Sequence, residues 1–415
     1  MTAQSSEEIG SDTAVGAPLT GFAAWTTPAR LVGTSTFMFW LSLYLYVPVL
    51  PLHAENTGAS LSMVGLIVAS YAIAQVLLRI PLGVSADLLG KRKPFVMIAF
   101  ALNVIGAIGL VLAPNPWMLF AARAVTGIGA AGWVAQSVLY SSYFTPAQTG
   151  QAMARIMSVN AAALVLASLA GGLIAEYLGI NATFYAGAVV GVFGMFLLFA
   201  AGEPPVVRRK RYSVAEFVEV AKTPLLLTVG AIGIFVQFVS FGGSFGFVPI
   251  YAERIGANDA EVGYVMTVML IFAVLGSIAT NRAVARFGYR LTIIMGSIIV
   301  AVSMALVPMT DEIYLLAATQ ALGGFGRGLL NTTLISLSVQ TVAPASRATG
   351  MGVYQAIYSI GMLSGPIVAG VVADASGLNS VFYLVAVVAL VGGLVGLAKP
   401  IRDAGKATQE SLNSG

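Results

Sequence analysis

The chain has 415 residues, 58% of them hydrophobic and 9% charged, with a net charge of +4 and no cysteine. A soluble domain carries about 25% charged residues, so a water-covered globule is excluded and the composition is that of an integral membrane protein. Disulfides and thiolate metal sites are excluded too, and the one histidine, His53, leaves no cluster for a metal. The pI of 9.2 does not point to nucleic acid, because the charges sit in short loops between apolar runs.

Residues 1–30 begin with small and polar residues, including Glu7, Glu8 and Asp12, and read as a tail without a cleavable signal peptide. A bilayer core about 30 Å thick takes roughly 20 apolar residues per helix. Runs of that size fall near 31–52, 62–86, 94–113, 116–140, 152–175, 181–201, 224–250, 260–281, 290–309, 313–338, 349–373 and 379–398. Pro114, Pro116, Gly179, Pro204-Pro205 and Asp311-Glu312 support the cuts between them. The predicted fold is an all-α membrane protein with twelve spans in two six-helix bundles, 31–201 and 224–398. A linker over 202–223 joins them, and a tail over 399–415 closes the chain. Within the linker, Ser213 and Glu216 have capping-box spacing ahead of Phe217, Val218 and Ala221. That pattern predicts a short helix on the membrane surface, with a solvated linker as the alternative.

Charge placement gives an orientation. Lys91-Arg92-Lys93, Arg208-Arg209-Lys210-Arg211, Arg282, Arg286, Arg290, Arg347, Lys399, Arg402 and Lys406 all fall on one face. The other face has only Arg254, against Glu55, Glu176, Glu253, Asp259, Glu261, Asp311, Glu312 and Asp374. By the positive-inside rule both termini are expected in the cytoplasm, with the chain multi-pass in the cell membrane.

The two bundles repeat. At an offset of 198 residues, Pro51, Ala54, Glu55, Gly58 and Ala59 fall on Pro249, Ala252, Glu253, Gly256 and Ala257. The same offset pairs Gly65 with Gly263, Gly90 with Gly288, Gly172 with Gly370 and Gly179 with Gly377; Gly127 and Gly324 match at 197. A two-fold repeat in so apolar a chain is the mark of a transporter whose halves rock about a central site.

Three motifs carry a family resemblance. Gly83-Val84-Ser85-Ala86-Asp87-Leu88-Leu89-Gly90-Lys91-Arg92-Lys93, between the second and third spans, resembles the signature loop of the major facilitator superfamily. Leu119, Arg123, Thr126, Gly127, Gly129, Ala130 and Ala131 resemble the fourth-span motif of its twelve-helix drug:proton antiporters, and Leu41-Ser42 with Pro48 to Pro51 resembles their first-span motif. The fifth span departs from the antiporter pattern: Ala167 to Gly172 keeps only the final Gly-Gly, whereas the eleventh has Gly361, Gly365-Pro366 and Gly370. In the signature loop, Gly83 admits a close neighbour, Asp87 can meet the positive end of a helix dipole, Gly90 permits the turn and Arg92 holds the loop inside. The resemblance implies a cytoplasmic gate there, to which Arg79 belongs through snorkelling or latch bonding.

Three arginines lie deep within spans: Arg79, Arg123 and Arg327. Intramembrane charge is functional by default, its cost being about 2.5–3.5 kcal/mol on translocon scales. Distances along the helices place the three at different depths, not in one cluster. Arg327, on a face with Gln320, Gly324 and Asn331, is the first choice for substrate contact, with a packing role as the alternative. Two readings stand for Arg123. The resemblance links it to proton coupling, while Glu55 or Glu176 at neighbouring helix ends offers a partner that would make it a structural lock. Trp40, Tyr44, Thr126, Trp133, Asn160, Gln237, Phe241, Tyr354 and Tyr358 complete an expected amphipathic pocket.

No nucleotide-binding loop, metal cluster or nucleophile–base set is present, so neither an ATPase nor another enzyme is expected, and no cofactor. The resemblance implies proton-coupled efflux of small amphipathic compounds by a monomer. The alternative is uptake or exchange of a small organic anion, with buried arginine as counter-ion and a solute gradient as the drive. A non-transporting sensor is the third reading.

Overall fold

The computed structural model describes residues 27–204, 219–340, 342 and 347–404. The expected N-terminal tail up to residue 26, linker residues 205–218 with most of the expected surface helix, and the tail from 405 lie outside the described residues, as do the side chains of Arg79, Gly83 and Asp87.

Every described element is helical. The first span is α1 (Pro28–Tyr44) and α2 (Leu50–Asn56), joined by a turn at the Pro48 region. Then come α3 (Leu61–Leu89), α4 (Lys93–Leu112), the fourth span as α5 (Pro116–Ala131) and α6 (Trp133–Ser141), α7 (Thr149–Leu178) and α8 (Ile180–Ala200). The second half runs α9 (Pro224–Val239), a π-helical turn (Ser240–Ser244), α10 (Val248–Arg254), α11 (Asp259–Leu306), α12 (Ile313–Gln340), α13 (Arg347–Ser376) and α14 (Leu378–Val395). Helix α11 is two spans with a break at Gly288, whose backbone has φ 72° and ψ 170°.

Local chemistry sets the ends. Proline at the first or second position starts α1, α2, α4, α5, α9 and α10, where its missing N–H costs nothing. Ser60 and Asn115 accept from the Met63 and Met118 amides, and Asn258 with Glu261 forms a full capping box on α11. Among the described residues, all six with positive φ are glycines, and they fall into three pairs 198 apart: 58 with 256, 90 with 288, 179 with 377. The repeat is therefore a repeat of backbone geometry, because left-handed turns tolerate little else.

The halves meet along α3 with α13, α7 with α11, and α2 with α10. Small residues bring the backbones together, as lipid-embedded helices require. A Cβ on Gly65 would lie 2.1 Å from the Pro366 carbonyl oxygen, and one on Gly172 would lie 2.7 Å from Gly263 Cα. These contacts sit at the acidic face.

Near the basic face, Glu203 accepts from the Arg92 amide at 2.5 Å and the Lys93 amide at 3.2 Å, closing the start of α4. Lys93 Nζ donates to the Phe199 and Ala201 carbonyls at the end of α8. Tyr143 donates to the Gly202 carbonyl at 2.5 Å; burial and then Glu203 push its phenol up to about 12, so it stays a donor.

Candidate substrate site

The crossing of α3 and α5 is the starting point. A Cβ on Gly127 would lie 2.4 Å from the Tyr71 carbonyl oxygen, and in the other half a Cβ on Gly324 would lie 2.1 Å from that of Met269. Tyr71 and Met269 are 198 residues apart, so these are two copies of one crossing. An arginine leans on each. The Arg123 guanidinium stacks 4.4 Å over the Tyr71 ring and 5.6 Å from the Tyr46 ring, and Arg327 Nη1 lies 4.0 Å from Met269 Sδ. Arg327 also stacks 4.7 Å over the ring of Phe245.

Aromatic side chains connect the two. Trp40 packs on Trp133 at 5.4 Å and on Tyr44 at 5.9 Å; Tyr44 meets Phe245 edge-on at 6.3 Å, and Phe245 meets Phe241 at 5.4 Å. Tyr44 is thus a first-half ring touching a second-half ring. Tyr44, Val47, Val68, Arg123, Phe241 and Phe245 line one small cavity. Behind the π-helical turn, Ser240, Ser244, Ser297, Met304 and Arg327 border a second. The turn is wider than an α-helix, a feature common at functional sites. Its serines border one cavity, while Phe241 and Phe245 line the other.

Among the described residues neither guanidinium has a carboxylate within ion-pair distance. Arg123 Nη1 reaches Thr126 Oγ1 at 3.3 Å. The partners considered for it are elsewhere. Glu55 pairs with Arg254 at 3.4 Å, and Glu176 accepts from the Asp259 amide. The two arginines stack on different rings, Arg123 on Tyr71 and Tyr46 and Arg327 on Phe245.

The other expected residues divide. Trp40, Tyr44, Thr126, Trp133 and Phe241 belong to the group just described, and Tyr358 and Met362 of α13 pack against it. Tyr354 is 2% exposed and wedged over Gly233, paired with Tyr358 at 5.1 Å. Asn160, Gln237 and Asn331 are half-buried on α7, α9 and α12. Gly90 makes the expected turn after α3. Tyr46, Tyr71, Phe245 and Met269 were missed. The Gly242-Gly243 pair amid serines was the signal for the irregular turn that aims Phe245.

The sequence pattern of the Major Facilitator Superfamily matches residues 32–258 and 230–414. The chain belongs to the major facilitator superfamily. Members of this family are multi-pass membrane transporters, not enzymes. An uncharacterized MFS-type transporter of Methanocaldococcus jannaschii is 22% identical over 88% of this chain and 96% of its own length. The multi-drug resistance efflux pump PmrA of Streptococcus pneumoniae is 24% identical, covering 86% of this chain and 92% of the pump. Among solved folds, a bacterial homologue of the human lysosomal transporter Spinster, inward-facing and occupied, matches with TM-score 0.75 at 16% identity over 89% of this chain and 95% of that one. The nucleoside transporter NupG matches with TM-score 0.73 at 15% identity, over 89% and 98%.

Proposed function

We propose that this chain exports small amphipathic compounds by alternating access, driven by an inward proton gradient. The contact of Tyr44 with Phe245 between two stacked arginines carries the reading. It places aromatic surface and polar groups from both halves around one cavity, as amphipathic cargo requires. Relatives named multi-drug resistance efflux pumps support export. The bundles 31–201 and 224–398 are the moving bodies of a monomer, with the basic face and both termini in the cytoplasm. The acidic face is then the outer one, and the close glycine contacts there correspond to its closed state.

Inside-out vesicles test this. With an acidified lumen, a fluorescent lipophilic probe should accumulate, and Arg123→Ala and Tyr44→Ala should each reduce the rate several-fold. Accumulation that ignores the proton gradient would remove the coupling, and none for any amphipathic probe would remove export.

A further inference from the structure

We propose that the cargo carries an anionic head on an aromatic body, an aromatic carboxylate being its chemical class, with Arg123 and Arg327 receiving the charge from opposite halves. This rests on the transport reading above and narrows it to one kind of compound.

Arg123 is 5% exposed, and no aspartate or glutamate is buried among the described residues. Both arginines keep a buried Nε without a hydrogen-bond partner. What they do have is aromatic or weakly polar: rings of Tyr71, Tyr46 and Phe245, the Met269 sulfur and one threonine hydroxyl. Ring faces stabilise a cation but leave its charge uncompensated. A buried guanidinium is a planar fork of donors suited to a carboxylate.

Geometry adds direction. The arginines stand at the symmetry-related crossings of α3 with α5 and α11 with α12: Arg123 lines a cavity with Tyr44 and Phe245, and Arg327 stacks on Phe245 from the other half. Closing the inner side around an uncharged or cationic molecule would bury both positive charges with nothing between them. A carboxylate there accepts from both, so occupancy favours closure. Trp40, Tyr44, Phe241 and Phe245 supply rings for the aromatic body.

Three matched probes test this by calorimetry on the purified full-length protein: naphthalene-2-carboxylate, its methyl ester and 2-naphthylmethylammonium. The carboxylate should bind at least roughly tenfold more tightly than either other probe, the scale of a charge-assisted hydrogen bond. Arg327→Gln should erase that preference, and Arg327→Lys should restore part of it. The competition in the unmodified protein stands even if a variant fails to fold. Equal or tighter binding of the ester or the ammonium overturns the assignment, as does a preference surviving in both Arg327→Gln and Arg123→Gln. Export of the ammonium probe in preference to the carboxylate would leave the transport reading intact and still overturn this one.

Discussion

Glu176 and Asp374 stand 198 residues apart and hold equivalent places: each carboxylate accepts from the first backbone amide of a helix in the other half. Asp374 takes the Leu61 and Ser62 amides of α3 at 3.1 and 2.9 Å, and Glu176 takes the Asp259 amide of α11 at 3.1 Å. The first amides of a helix lack internal partners and carry its positive end, so a carboxylate there satisfies both hydrogen bonding and charge. One position breaks the symmetry. Asp259 stands where the first half has Leu61, so its own carboxylate is repelled by Glu176 and Glu253.

Removing the clean clamp should loosen the acidic face. Asp374→Ala forfeits about 1–2 kcal/mol of helix-end interaction, which is roughly a tenfold shift toward the parted state. The chain has no cysteine, so spin labels on Tyr177→Cys and Tyr314→Cys, both exposed, report the gap between halves directly. An unchanged distance distribution would show that the clamp carries no weight.

Backbone contact gives a second lever. Gly65→Ala puts a methyl group against the Pro366 carbonyl, and the backbone of α13 cannot yield as a side-chain tip would. The expected result is separation of α3 from α13 with a cost of about 1–3 kcal/mol, read by the same labels and by a lower melting temperature. Gly58→Ala is the control, since a Cβ there meets nothing within 4 Å and only its φ of 87° is strained.

Acid should favour the clamped face. Burial pushes the Glu55 carboxyl above its ordinary range, helped by Glu253 and opposed by Arg254. A carboxyl whose pKa is higher in the clamped state than in the parted one binds its proton more tightly when clamped. The clamped state therefore gains as pH falls and loses as pH rises through that raised value. Repulsion at Asp259 acts with the same sign. The labelled pair should show more of the short distance at about pH 5 than at about pH 8, and Asp259→Asn with Glu55→Gln should flatten the response.

Trp40 tests the aromatic group apart from its charge. It is 8% exposed and touches Phe39, Tyr44 and Trp133. Trp40→Ala should cost about 3–5 kcal/mol and lower the melting temperature, whereas Trp117→Ala, at 67% exposure, should leave it nearly unchanged.

Much of this architecture was legible from residue order. Twelve apolar runs, their punctuation by proline and glycine, and the 198-residue offset all follow from properties that each short stretch carries by itself. Gly58, Gly90 and Gly179 read as turns because a left-handed backbone selects glycine wherever it occurs. Within the site, Trp40, Tyr44, Arg123 and Arg327 were identified by residue type, because polar and aromatic groups stand out against an apolar background.

What order alone could not fix is the rotation of each helix and the partner it meets. In lipid the outside is as apolar as the core, so hydrophobic patterning says little about which way a helix faces. Tertiary packing decided that, through glycine faces such as Gly127 on Tyr71 and Gly324 on Met269. It gave Glu55 to Arg254 and left Arg123 with Tyr71 and Thr126. It also set Arg327 over Phe245 and Phe245 against Tyr44 of the other half, because side-chain meetings depend on how helices tilt and cross, and sequence spacing does not contain that.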